Sequence, residues 1–312
     1  MDAKTKTPNE FPVRSALVAI DFSAPSRAAL AFAIPLLAKY QAELHLVHVF
    51  PVDYPAASLA ALPAVLPEIE IERRVHARLR DLAAEHAVAV SSGNIHAIRG
   101  TPHKEICRLA HELKVDLIVT ATRGQTGLKH LALGSTAERV VRHSPCPVMI
   151  IHSLDQLRPH DTGFERILAP VDFSDCGKAG LAAAKAVARR FGSRLVLLHS
   201  VDLHYYCTNP EFLLYDLPPL LEAAEKAAGA QLQELAGIVR RDGVATEIIL
   251  GSGHPGAQIC QEAKEHGCDL IVTATHGRTG LPHILVGSTA EYVVRHAPCP
   301  VIVVPSRDRP PA

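Results

Sequence analysis

The sequence has no excess of charge of either sign: 32 Lys and Arg face 32 Asp and Glu. No net field therefore draws the chain to nucleic acid, whose binding depends on phosphate neutralisation, or to anionic lipid. No apolar run is long enough for a membrane. The longest, Ala28 to Ala38, is interrupted by Pro35 and falls well short of the roughly 20 residues a span needs. Met1 to Glu10 is polar and has no apolar core of the kind a secretory signal carries. Seven cysteines, an odd number in a long chain, make no disulfide framework. Several chemical signatures are missing too. There is no GxxxxGK[ST] phosphate loop, no HExxH, no paired CxxC, and no nucleophile elbow or Ser-His-Asp order. These absences leave a cytoplasmic, water-soluble chain with no catalytic residue to assign.

What is present is length, apolar content and repetition. A chain of 312 residues, 48% apolar and 21% charged, suits two globular domains with ample cores. Asp116 to Val148 and Asp269 to Val301 are identical at 25 of 33 positions at a constant offset of 153. Near each start, LVAIDFSAPSRAAL from Leu17 pairs with LAPVDFSDCGKAGL from Leu168 at an offset of 151. Two residues were gained inside the second copy. A unit this long is a whole domain rather than a solenoid repeat. The seam is the polar, Pro- and Gly-containing stretch Leu154 to Gly163, which predicts domains at 1–154 and 163–312.

Each copy alternates strand-like and helix-like segments. In the first, strands are expected at Ala16 to Ile20, Leu44 to Val49, Ile95 to Ile98, Leu117 to Ala121 and Val148 to Ile151. Helices are expected at Ser26 to Tyr40, Glu68 to His86, His103 to Leu113 and Ser135 to His143. In Glu68 to His86 the residues Ile69, Ile71, Val75, Leu79 and Leu82 form the apolar side. Such alternation predicts an α/β fold, a five-stranded parallel sheet with helices on both faces, in each copy. Ligands of such sheets bind beyond the carboxyl ends of the strands, where the strand order reverses.

Asp21 and Asp172 stand at the end of the first strand of each copy. A carboxylate there accepts hydrogen bonds from a nucleoside amine or hydroxyl; it serves equally well as a cap or turn residue for the helix that follows. The fourth strands run into Ala121-Thr-Arg-Gly124 and Ala274-Thr-His-Gly277, then nine residues, then Gly134-Ser135 and Gly287-Ser288. Glycines let backbone approach an anion, and a helix start offers it unpaired N–H groups. Ser135 with Glu138, and Ser288 with Glu291, also spell a capping box that competes for those same groups.

The Asp-Phe-Ser after strand one, His48-Val49 in strand two, the late Gly-x9-Gly-Ser stretch and the Pro-Cys-Pro-Val before strand five resemble the universal stress protein family. The likeness covers nearly the whole chain as two family domains in series. It implies tandem Rossmann-like, HUP-type domains, packed as an intramolecular pseudo-dimer through the apolar fifth strands, Val148 to Ile151 and Val301 to Val304, with a further homodimer open. It implies a stress-responsive regulator that binds an adenine nucleotide, ATP with Mg²⁺, in one or both domains. By resemblance, Asp21 and Asp172 lie by the adenosine, and the backbones of Val49 and Ser200 meet adenine. Gly124, Gly134, Ser135 and Thr136, with Gly277, Gly287, Ser288 and Thr289, hold phosphates. The family motif is Gly-x2-Gly-x9-Gly-Ser/Thr, and here its first glycine is Ala121 or Ala274. Arg123, Lys129, His276 and Arg278 are candidate cations for phosphates. Two alternatives remain open: a nucleotide-free scaffold for a protein or apolar ligand, its site closed by the two alanines, and a slow ATP hydrolase.

Other signals carry less. Gly251-Ser-Gly253-His-Pro-Gly256 is a literal GxGxxG, but no acidic residue follows about 20 positions on; its counterpart is Gly100-Thr-Pro-His103. The pairs His103/His254, His130/His283 and His143/His296 read as repeat partners rather than metal ligands. Cys146 and Cys299 read as core thiols. Pro51 to Pro67 and Asp202 to Pro219 are long enough to serve as lids or to tuck apolar residues against the other domain.

Overall fold

The computed structural model describes residues 11–50, 68–122, 134–152, 163–202, 217–275 and 287–305. The chain divides into two compact units, Pro12–Leu157 and Arg158–Pro310. The first contains β1 (Ser15–Ala19), α1 (Ala24–Tyr40), β2 (Glu43–Phe50), α2 (Glu68–Glu85), β3 (Ile95–Arg99), α3 (Pro102–Leu113), β4 (Leu117–Ala121), α4 (Ser135–His143) and β5 (Val148–Ile151). The second contains β6 (Arg166–Pro170), α5 (Asp175–Phe191), β7 (Arg194–Val201), α6 (Leu217–Arg241), β8 (Thr246–Ser252), α7 (Pro255–Glu265), β9 (Leu270–Ala274), α8 (Ser288–His296) and β10 (Val301–Val304).

Strand order is β3-β2-β1-β4-β5 in the first unit and β8-β7-β6-β9-β10 in the second, and the pairings that build each order are parallel. The expected α/β architecture is thus present twice. Apolar residues fill the strands because both sheet faces are covered: every residue of β4 and of β5 is buried. The order reverses between β1 and β4, and again between β6 and β9, the positions at which sheets of this kind open a crevice at the carboxyl ends of their strands.

Two expectations need correction here. Ile69 is not on the buried side of α2; it is 79% exposed, whereas Val75, Leu79 and Leu82 are buried as expected. The stretch to Pro219 is not all loop, since α6 begins at Leu217, with two prolines where a first helical turn tolerates them. The candidate lids otherwise lie outside the described residues, as does the seam Leu154 to Gly163 apart from Gly163 itself. Cys146 and Cys299 are buried; burial pushes the Cys146 thiol up to about 12 and the Cys299 thiol well above its ordinary value. No helix among the described residues is long and apolar enough to cross a membrane.

Candidate functional site

Beyond β1 and β6 the chain makes the same turn. Asp21 Oδ1 accepts from the Ser23 N–H at 3.0 Å and from its hydroxyl at 2.5 Å. Asp172 Oδ1 accepts from the Ser174 N–H at 3.0 Å and its hydroxyl at 2.7 Å. The caps of α1 and α5 are these serines, not the aspartates; Ser174 Oγ accepts from the Gly177 N–H at 3.0 Å. The turn places Phe22 and Phe173 at φ 63° and 61°, a left-handed conformation that costs a bulky residue on the order of 1–3 kcal/mol. Each ring rests on a histidine of the neighbouring strand: Phe22 on His48 at 4.8 Å and Phe173 on His199 at 4.7 Å between centroids. Nδ1 of His48 lies 2.6 Å from the Ile20 carbonyl, and Nδ1 of His199 lies 2.6 Å from that of Val171. A carbonyl only accepts, so Nδ1 carries the proton in both rings.

In the second unit these elements border a cavity of about 540 Å³. Asp172, Ser200, Ala274, Gly287, Ser288 and Thr289 all line it, so six of the seven residues assigned to this copy converge; the seventh, Gly277, lies outside the described residues. In the first unit Asp21 follows β1, Val49 lies in β2 opposite Ile98, and Ala121 is the buried last residue of β4. Gly134 precedes α4, whose first turn holds Ser135 and Thr136; Gly124 lies outside the described residues. So do Arg123, Lys129, His276 and Arg278.

The helix starts bear on the capping-box reading of the Gly-Ser step. Gly134 and Gly287 are the N-caps, and neither helix has a side-chain cap hydrogen bond. Each glycine N–H closes the preceding loop, Gly134 onto the Thr122 carbonyl at 2.7 Å and Gly287 onto that of Thr275 at 2.8 Å. The capping box does not form, because the serines are already inside the helix and the glutamates are engaged elsewhere. Glu138 pairs with Arg142 at 3.0 Å and Glu291 with Arg295 at 2.7 Å.

Sequence reasoning missed two features of the rim. The Arg78 guanidinium lies 4.0 Å above the Phe22 ring. At the offset of 153 its counterpart is Gln231, just as the fully buried Leu79 corresponds to Leu232, and Gln231 lines the second cavity together with Ala228. The only available signal was position, one residue before a buried leucine on an otherwise charged helix face. The second feature is His254, taken up below.

Electrostatically, the first unit favours neutral imidazoles. Burial lowers the pKa of His48, with Arg78 adding to the effect and the Ile20 carbonyl and Asp21 opposing it. Burial also lowers His45 and His96, whose Nδ1 and Nε2 lie 3.4 Å apart. In the unfolded chain these rings titrate near about 6.5. Their folded-state values are depressed, so the unfolded state binds more protons as pH falls, and stability that is full above that value declines below it. The melting temperature is expected to drop between pH 7.5 and 5.5, and His48→Gln to flatten the drop. An unchanged pH dependence in that variant would show that His48 does not contribute. Among the described residues no group of three or more His, Cys, Asp or Glu is placed to hold a metal.

Comparison with known proteins identifies the family. Residues 12–152 and 163–305 each match the universal stress protein family. The chain is 30% identical over 307 residues to a universal stress protein of Mycolicibacterium smegmatis, covering 93% of this chain and 97% of that one. One of Thermus aquaticus is 37% identical over 142 residues, 45% of this chain and 98% of the relative. The crystal structure of a universal stress protein from Archaeoglobus fulgidus shares the fold, with a TM-score of 0.68 at 21% identity over 94% of this chain and 98% of that one. The chain belongs to the universal stress protein family, with two family domains in series.

Proposed function

We propose that the cavity of the second unit binds an adenine nucleotide, with Mg²⁺ carried on its phosphates, and that the protein serves through it as a stress-responsive regulator. The observation that carries this reading is the glycine cap. Gly287 has φ −59° and ψ 147°, extended backbone that any residue adopts, so a glycine is not needed there for conformation. Serine or aspartate would cap α8 better. What glycine supplies is empty space in front of N–H groups and the positive end of a helix dipole, the surroundings a phosphate requires. That space opens into a cavity of ligand size at the point where strand order reverses. Asp172 supplies acceptors for the nucleoside, and Ser200 lies near the carboxyl end of β7 where it borders the cavity. Mass spectrometry of the purified protein should find a co-purified nucleotide, and calorimetry with ATP and Mg²⁺ should give saturable binding. No bound nucleotide, together with no heat at millimolar ATP, would remove this reading in favour of a nucleotide-free scaffold.

Ala274 constrains the fit. A Cβ built on Gly180 of α5 would lie 3.1 Å from the Ala274 nitrogen and 3.5 Å from its Cβ. The helix thus presses on the end of β9, and the Ala274 methyl has little room to withdraw from a ligand. Ala274→Gly is expected to tighten ATP by about 1 kcal/mol, roughly fivefold, with Ala121→Gly acting likewise wherever the first unit binds. An unchanged affinity in calorimetry would mean that the first motif position does not touch the ligand.

A further inference from the structure

The GxGxxG stretch holds a residue that the first unit lacks. Backbone hydrogen bonds fix the equivalence of the two loops: Gly100 N–H donates to the Phe50 carbonyl at 2.9 Å, and Gly253 N–H to that of Val201 at 2.9 Å. Gly253 therefore corresponds to Gly100, His254 to Thr101, and Gly256 to His103, so His103 and His254 are not repeat partners. Thr101 caps α3 with no side-chain hydrogen bond. His254 caps α7 through its ring, Nδ1 accepting from the Ala257 N–H at 3.4 Å.

That cap determines the tautomer. With Nδ1 accepting, the neutral ring carries its proton on Nε2 and keeps a donor there. The ring is also held from the side. Tyr292 of α8 lies 5.3 Å from it and 4.2 Å from His296. Tyr292 comes this close because Gly256 has no Cβ, which would fall 2.7 Å from that of the tyrosine. His254 and Pro255 line the same cavity as Gly287, Ser288 and Thr289. The starts of α7 and α8 therefore face one space, with a positioned imidazole at its rim.

We propose that His254 is a ligand-contacting residue of the second site, donating from Nε2 to the phosphate-bearing end of the ligand, and that this contact distinguishes the second site from the first. The proposal rests on the nucleotide reading above. The cap provides the control: asparagine is among the best N-caps, so His254→Asn keeps α7 capped while removing the imidazole. His254→Gln places an amide N–H about as far out as Nε2. Calorimetry on the full chain with ATP and Mg²⁺, AMP, adenosine and inorganic tripolyphosphate reads the contact. For His254→Asn, about tenfold weaker ATP, AMP and tripolyphosphate is expected, with adenosine and the melting temperature unchanged; His254→Gln should recover most of the loss. Unchanged affinities, or an equal loss for adenosine, would overturn the proposal and leave the nucleotide reading in place. Binding of tripolyphosphate alone, weakened in His254→Asn, would sustain the anion contact and remove the adenine reading. No binding by any of the four probes would remove both.

Discussion

Gly287→Val is expected to abolish nucleotide binding while the protein stays folded. The backbone at this position is extended, with φ −59°, so a β-branched residue sits there without strain. The cost to the fold is confined to a poorer helix cap, about 1 kcal/mol. The cost to the ligand is larger, because the isopropyl group would occupy the space in front of Ser288 and Thr289 where a phosphate must approach. Some 3 kcal/mol or more of lost affinity, beyond a hundredfold, is expected in calorimetry. Gly287→Ser sharpens the test. Serine is a better cap than glycine, so its melting temperature should rise while ATP affinity falls, and a merely damaged fold would not produce opposite signs. Retained affinity in both variants would mean that phosphate does not approach the start of α8. Gly134→Val tests the first unit in the same way.

Leu232→Ala is expected to give the largest loss of stability, about 2–5 kcal/mol. Leu232 is fully buried on α6, whose next-door Gln231 and one-turn-earlier Ala228 line the cavity. Deleting the isobutyl group leaves a void that α6 fills only by shifting, and a shift moves the cavity wall. Urea unfolding and calorimetry should therefore report losses of stability and of binding together. Gln231→Ala, at an exposed position, should stay within about 0.5 kcal/mol of the parent in stability. A Leu232→Ala protein as stable as its parent would contradict the packing described.

Much of the fold was legible from the sequence because its strands are continuous apolar runs bounded by polar turns. β4, α4 and β5 begin and end at the residues the pattern predicts. The misplacement of Ile69 has a physical cause: periodicity marks a helix face but not where the sheet beneath it ends. The capping box looked convincing because serine is a strong cap and glutamate stood three residues later. In the fold the cap falls one residue earlier, on glycine. His103 and His254 seemed equivalent because each sits beside a proline shortly after a glycine; backbone hydrogen bonds separate them. Arg78 resembled any solvated arginine of a polar helix face, since Phe22, above whose ring it lies, is 56 residues away in sequence. The aspartates and the Gly-Ser steps stand out in the sequence because each combines a residue type with a strand end or a helix start.

The left-handed phenylalanines have a consequence for any attempt to stabilise the protein by selection. Replacing Phe173 with glycine would relieve the backbone cost on the order of 1–3 kcal/mol described above and would forfeit the ring's partial burial and its contact with His199, together of about the same size. The two changes nearly cancel, so a thermal screen of a random library registers almost nothing at this position. Yet this residue holds the turn that presents Asp172 to the cavity. On the proposed reading, heat tolerance and ligand recognition would be selected separately here: variants that pass through thermal enrichment untouched would carry altered binding with them, and only a screen that reads ligand occupancy would tell them apart.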